Sequence, residues 1–182
     1  IELDISTATF FAMSSENMNR SKKETEFISI LLDNSIKKHL QDLLDNQIKF
    51  TVIGDLSHLP ENIKNTIKYA ETVTSKFTEY RLNIAYNYGG QWDVVNSINT
   101  LLSKKLVISY ENLSKYLSTG SDFPDLIVRT GGYKRLSNFM LWQAAYSELI
   151  FLDTLWPEFS STDVSNILNN YKSIKRKFGK VD

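Results

Sequence analysis

The chain has 182 residues, its 21 Lys and Arg balance its 21 Asp and Glu, and it contains no cysteine. The formal net charge of zero argues against a nucleic-acid binder that works through a broad basic field. The missing cysteines exclude disulfides and thiolate sites, and two separated histidines, His39 and His58, exclude a histidine-rich zinc site within one chain. We expect a single domain over residues 1–182.

Strand-like and helix-like segments alternate from the start of the chain. Residues 3–13, rich in Ile, Thr and Phe, predict a strand. Ser21 with Glu24 three residues later is typical of the start of a helix, because the two side chains can cap each other's backbone N–H groups.

The segment that follows has apolar residues at helical spacing, which predicts a long helix. On this pattern Phe27, Leu31 and Ile36 are expected in the core, and so is Met18 just before the helix.

The remaining elements continue the alternation. Strands are predicted at 48–55, 80–90, 125–129 and 148–153, and helices at 59–77, 91–104, 110–118, 137–146 and 161–178. Such alternation predicts an α/β fold with a mainly parallel central sheet flanked by helices. Ligands bind such sheets at the carboxyl ends of the strands, which would bring together residues 14–20, 87–90 and 129–137.

The sequence RTGGYKRLS, residues 129–137, directly follows an apolar run at 126–128. Its glycine pair would let the backbone approach a ligand with its N–H groups exposed. The strand would deliver Arg129 to the edge of the sheet, and Arg135 and Ser137 would stand at the start of the predicted helix at 137–146, where an anion such as a diphosphate is favoured. The alternative is that both arginines form structural salt bridges and the glycines a simple turn.

Two further groups of polar residues are candidates for a site. Ser14, Ser15, Glu16, Asn17 and Arg20 directly follow the first predicted strand, although a helix cap and turn would also account for them.

Glu148 lies between a predicted helix and a predicted strand. A single carboxylate there is more often a surface or capping group, so Glu148 is a metal-ligand candidate only together with other ligands.

These segments together resemble the cis-prenyltransferase family, whose bacterial type member is undecaprenyl diphosphate synthase. The matching segments, in the same order and at similar distances, are FFAMSSENMNR, TVIGDLSHLP, LNIAYNYGGQWDVV and the long segment at 124–159. The resemblance runs from Ile1 to about Gly179, and its segment at 124–159 is highly specific to the family.

The resemblance implies an enzyme that condenses isopentenyl diphosphate with an allylic diphosphate, typically farnesyl diphosphate, with the help of Mg²⁺. It implies that Arg129, Arg135 and Ser137 hold the diphosphate of isopentenyl diphosphate, that Glu148 serves the Mg²⁺ site, and that Asn17 assists proton removal. The other residues of the substrate region would be Ser14, Ser15, Glu16, Met18, Arg20 and Leu136. The implied partners are these two diphosphates and a second copy in a homodimer, with no nucleic acid and only transient membrane contact through the lipid product.

No apolar run approaches the roughly 18 residues of a membrane span, and the first residues do not resemble a signal peptide. Together with the missing cysteines, this leads us to expect a cytoplasmic protein.

Two departures from the family pattern are present. Met18 stands where the family has a tryptophan, and the family's first βα unit, with the aspartate of its H-x-D-G-N-x-R-W motif, has no counterpart in the 182 residues. We therefore expect these residues alone to lack catalysis. The alternative function is a non-catalytic subunit or binding module of the same fold.

Overall fold

A computed structural model of the protein describes residues 5–176. Contacts divide the chain into two compact units, Ile1–Asp93 and Val94–Asp182. The expectation of one domain stays a prediction. No helix in residues 5–176 is long and apolar enough to cross a membrane.

The first unit contains a parallel three-stranded sheet. Its strands are β1 (Thr7–Phe11), β2 (Ile48–Ile53) and β3 (Tyr80–Ala85), and β3 lies in the centre. The strand predicted at 3–13 is shorter than expected, because residues 12 and 13 already turn away from regular pairing, and residues 3 and 4 lie outside the described residues.

Two helices of the first unit follow a short 3-10 turn at Ser15–Asn19. They are α1 (Lys22–Asp45) and α2 (Glu61–Thr74). The predicted cap of α1 is confirmed: Ser21 and Glu24 accept hydrogen bonds from each other's backbone N–H groups.

The core of the first unit lies between these helices and the sheet. Ile36 is buried and Met18 packs against the core, as predicted. Phe27 and Leu31 are wrong predictions, since they are 66% and 53% exposed. The buried stripe of α1 runs through positions 29, 32, 36 and 43, and at 100° per residue Phe27 and Leu31 fall on the opposite side of the helix.

Side chains of α2 accept hydrogen bonds from backbone N–H groups of the edge strand β2. The Val52 N–H donates to Glu71 Oε1 at 2.9 Å, and the Phe50 N–H donates to Thr74 Oγ1 at 3.1 Å. Burial raises the pKa of the Glu71 carboxyl, partly offset by the Val52 N–H. The helix therefore supplies acceptors that a further strand would otherwise provide.

The second unit carries a parallel strand pair. Helices α3 (Gly90–Ser103, which begins before the unit boundary) and α4 (Tyr110–Tyr116) precede strands β4 (Leu126–Arg129) and β5 (Glu148–Phe151), and α5 (Ser161–Lys172) follows them. The predicted α/β architecture of parallel strands flanked by helices is confirmed. The described strands pair as a three-stranded and a two-stranded sheet.

The helix predicted at 137–146 is wrong. This stretch holds only a 3-10 turn at Gln143–Tyr146, and Ser137, Asn138 and Met140 have positive φ angles of 49°, 63° and 46°. A right-handed helix cannot pass through such residues. The final helix ends at Lys172, and positions 177 and 178 of its predicted range lie outside the described residues.

Candidate functional site

The carboxyl ends of β1 and β3 hold two of the predicted segments together. The Ser15 N–H donates to the Tyr88 carbonyl at 2.9 Å, and Ser14 forms a parallel bridge with Tyr88. Residues 14–20 therefore lie beside the segment at 87–90, as the rule for parallel sheets predicts.

Asn17 is fixed within this first cluster. Its Oδ1 accepts the Ser14 hydroxyl at 2.6 Å, and its backbone N–H donates to the Ser14 carbonyl at 3.0 Å. Within residues 5–176 its Nδ2 has no hydrogen-bond partner. The amide is thus held at one end and has a free donor at the other, which suits orienting a ligand oxygen or a water.

The other members of the first cluster differ in exposure. Ser14, Ser15 and Met18 are half-buried, whereas Glu16 and Arg20 are exposed. Of the alternative cap and turn, the turn is present, because this segment forms the 3-10 turn that leads into α1, but Ser14 makes no side-chain cap hydrogen bond.

A close backbone contact supports the same end of the sheet, and sequence reasoning did not identify it. Gly54 has φ +125°, and a Cβ there would lie 2.0 Å from the Tyr86 carbonyl oxygen. Asp55 and Asn87 then join the two strand ends: the Asp55 N–H donates to the Asn87 carbonyl at 3.2 Å, and Asn87 Nδ2 donates to the Asp55 carbonyl at 2.8 Å. The Gly-Asp pair at a strand end was the available signal.

In the second unit, Arg129, Arg135 and Ser137 form a connected cluster, which we call the clamp. Arg129 Nη1 donates to Ser137 Oγ at 2.8 Å, and Arg135 Nε donates to the same oxygen at 3.3 Å. Arg129 also donates to the Arg135 carbonyl. Leu136, between them in sequence, is half-buried.

Among the residues that the structure describes, the clamp has no carboxylate counter-ion. Within residues 5–176, neither Arg129 nor Arg135 forms a salt bridge, and both Nη atoms of Arg135 have no hydrogen-bond partner. This finding removes the alternative in which the two arginines serve as structural salt bridges in the described part of the chain.

The glycine pair works differently from the prediction. Gly131 and Gly132 have φ angles of +88° and +77°. Their N–H groups donate to the carbonyls of Thr154 and Leu152 at 2.9 and 2.8 Å. The expectation that these N–H groups face a ligand is therefore wrong; they fasten the clamp loop to the segment after β5.

Glu148 lies apart from the clamp along the strands. In the β4–β5 register Leu126 pairs with Glu148 and Arg129 with Phe151. Glu148 and Arg129 are therefore about 10 Å apart along the strand direction. Within residues 5–176, no three His, Asp or Glu side chains form a group that could hold a metal ion. The described residues therefore do not assemble a cation site by themselves.

Comparison with known proteins gives consistent matches. A family model described as "Putative undecaprenyl diphosphate synthase" matches residues 1–179. A tritrans,polycis-undecaprenyl-diphosphate synthase (geranylgeranyl-diphosphate specific) of Thermoplasma acidophilum is 42% identical over 190 residues, which cover 99% of this chain and 74% of the relative. A ditrans,polycis-undecaprenyl-diphosphate synthase ((2E,6E)-farnesyl-diphosphate specific) of Buchnera aphidicola is 40% identical over 179 residues, covering 94% of this chain and 71% of the relative.

A solved structure agrees with these sequences. The crystal structure of a probable undecaprenyl diphosphate synthase from Campylobacter jejuni superposes with a TM-score of 0.89 at 35% identity, covering 97% of this chain and 84% of that chain. The family model and these relatives extend over nearly all of the 182 residues, so the likeness is not confined to one motif. The chain belongs to the cis-prenyltransferase family, that of the undecaprenyl diphosphate synthases.

Proposed function

We propose that the chain, together with the family's first βα unit, elongates an allylic diphosphate with isopentenyl diphosphate to give a cis-polyprenyl diphosphate. In this reaction the allylic carbon–oxygen bond breaks and diphosphate leaves with the electron pair. The double bond of isopentenyl diphosphate attacks that carbon and forms the new carbon–carbon bond. A proton is then lost to a base, which leaves a new cis double bond.

The observation that carries the proposal is that the clamp has no counter-ion within residues 5–176. The two positive charges repel each other, although solvent screening weakens this repulsion at an exposed site. Binding a diphosphate replaces this repulsion with attraction, and guanidinium groups match the geometry of phosphate oxygens.

Ser137 connects the two arginines and can still bind the anion. A hydroxyl has two acceptor lone pairs and one donor hydrogen. Both guanidiniums donate to its oxygen, so the O–H is left to donate to a diphosphate oxygen. We therefore assign the clamp to the diphosphate of isopentenyl diphosphate.

Asn17 is assigned to proton removal. A neutral amide is not a base at any working pH, so its part is to orient the water or phosphate oxygen that accepts the proton. The Nδ2 donor and the fixed Oδ1 of Asn17 suit this part. Ser14, Ser15, Glu16, Met18 and Arg20 are proposed to line the substrate region in the same unit, and Leu136 is proposed as a substrate contact beside the clamp.

Mg²⁺ is proposed as the cofactor on the strength of the family, with Glu148 as the candidate carboxylate. Such an ion commonly takes one or two protein carboxylates and completes its shell with phosphate oxygens and water. When bound, it would neutralise charge on the leaving diphosphate.

Isopentenyl diphosphate labelled with carbon-14, supplied to the full-length protein with Mg²⁺ and either farnesyl or geranylgeranyl diphosphate, tests the proposal. We expect labelled polyprenyl diphosphate, and the allylic substrate with the higher kcat/KM identifies the preference, on which the two named relatives differ. Binding of isopentenyl diphosphate without elongation would instead support the non-catalytic subunit.

The role of the clamp is tested by Arg135→Ala. Loss of one charge-assisted contact should raise the KM for isopentenyl diphosphate by about tenfold to a hundredfold. Lys134→Ala, which removes an exposed positive charge next to Arg135, is the matched control and should change this KM by less than about twofold. An unchanged KM with a lower melting temperature in Arg135→Ala would contradict the assignment.

A homodimer and a cytoplasmic location are also proposed from the family, with membrane contact limited to the lipid product. Exposed apolar side chains of the second unit, at Leu106, Val107, Ile108 and Tyr110, are consistent with a surface covered by a second copy. Sedimentation equilibrium measures the oligomeric state directly.

A further inference from the structure

Both arginines of the clamp lie over one aromatic ring. The Cζ atom of Arg135 is 4.3 Å, and that of Arg129 is 5.8 Å, from the centroid of the Tyr133 ring. Tyr133 is 57% exposed, so burial in the core does not account for its position. Its described ring contacts are with the two guanidiniums.

An aromatic face attracts a cation within about 6 Å of its centroid, because the ring carries a quadrupole that is negative on its face. The Tyr133 ring therefore attracts two cations that repel each other, and it neutralises neither. A guanidinium held in this way keeps the N–H groups in its own plane for phosphate oxygens. This matches Arg135, whose Nη atoms have no hydrogen-bond partner in residues 5–176.

The backbone that carries Tyr133 is fixed on both sides. The N–H groups of Gly131 and Gly132, immediately before it, donate to carbonyls after β5. On the other side, Arg129 donates to the Arg135 carbonyl and closes the loop. The ring is thus delivered to the arginines by an anchored turn.

We propose that Tyr133 is a positioning residue, whose aromatic face holds the two guanidiniums in place for a diphosphate. The inference rests on the proposed function of the clamp. It requires the ring and not the phenol hydroxyl, so Tyr133→Phe should preserve the effect. Tyr133→Leu keeps an apolar side chain, although a shorter one, and has no quadrupole, so it should behave as Tyr133→Ala does.

The experiment measures the KM for isopentenyl diphosphate, the kcat and the affinity for inorganic pyrophosphate by calorimetry in the full-length protein. Tyr133→Ala and Tyr133→Leu should raise the KM, and weaken pyrophosphate binding, by about three- to tenfold, with kcat within about twofold. Tyr133→Phe should stay within about twofold of the wild type. Tyr69→Ala is the matched control, because Tyr69 is 60% exposed and lies on α2.

The outcomes separate this inference from the function on which it rests. If the wild type neither elongates nor binds pyrophosphate, the proposed function fails and this inference fails with it. If the wild type is active and Arg135→Ala raises the KM, but Tyr133→Leu behaves as the wild type, only the inference is overturned. It is also overturned if Tyr133→Phe is as impaired as Tyr133→Ala, or if the loss lies in kcat alone.

Discussion

Ser137 gives the sharpest test of the clamp, because one oxygen atom joins both arginines. Ser137→Ala removes the acceptor of the bonds at 2.8 and 3.3 Å and a hydroxyl that could donate to the diphosphate. Hydrogen bonds to charged groups contribute about 1.5–3 kcal/mol when buried, and this site is exposed. We expect a loss of about 1–2 kcal/mol, which is about a 5- to 30-fold rise in the KM for isopentenyl diphosphate.

A second variant separates binding from stability. Ser137 has φ +49°, a conformation that costs a residue with a Cβ about 1 kcal/mol relative to glycine. Ser137→Gly should therefore match Ser137→Ala in KM but melt about 2–4 °C higher, since that is the shift expected from 1 kcal/mol in a chain of this size.

The assay is initial-rate kinetics with labelled isopentenyl diphosphate, together with thermal melting of both variants. If Ser137→Ala leaves the KM unchanged while Arg135→Ala raises it, the bridging oxygen has no part in binding. If the two Ser137 variants agree in melting temperature, the assignment of the positive φ angle as a source of strain is wrong.

Two further predictions concern the first unit. Gly54→Ala should lower the free energy of unfolding, measured by urea denaturation, by about 3 kcal/mol or more. The new Cβ would collide with the Tyr86 carbonyl oxygen, and the φ of +125° at position 54 is strained for alanine. A change below about 1 kcal/mol would contradict this prediction. Burial raises the pKa of Glu71, so its ionised form is penalised above that pKa, and the penalty disappears as the pH falls through it. Glu71→Gln keeps an acceptor for the Val52 N–H and should be more stable than the wild type at pH 7, with the difference shrinking towards pH 4. Glu71→Ala should be less stable than the wild type at both pH values. A pH-independent difference between Glu71→Gln and the wild type would refute the reasoning.

Much of the fold could be predicted from local signals. The pairing of Ser21 with Glu24 located the start of α1 to the residue, because a capping box is a contact between residues three apart. The strand predicted at 125–129 is confirmed as β4. A short, continuous apolar run is typical of a buried parallel strand in an α/β fold.

Burial on α1 was predicted less well, for a reason that lies outside the helix. Its apolar residues are spread over more than one face, so periodicity alone offers two stripes. Leu32 and Ile36 are buried, whereas Phe27 and Leu31 are exposed. Which stripe packs on the sheet depends on how the helix meets α2 and the strands, and that information is not in the helix sequence.

The failed helix at 137–146 and the geometry of the clamp have the same cause. In a helix beginning at Ser137, the backbone would continue away from β4 in right-handed turns. Instead Ser137, Asn138 and Met140 adopt positive φ angles, and the Ser137 hydroxyl lies within hydrogen-bonding distance of both Arg129 and Arg135. Asparagine tolerates this conformation, but serine and methionine are strained in it. The sequence identified the arginines and the serine as partners, yet it placed them at a helix N-terminus, whereas a strained turn aligns the three side chains that we propose to bind the anion.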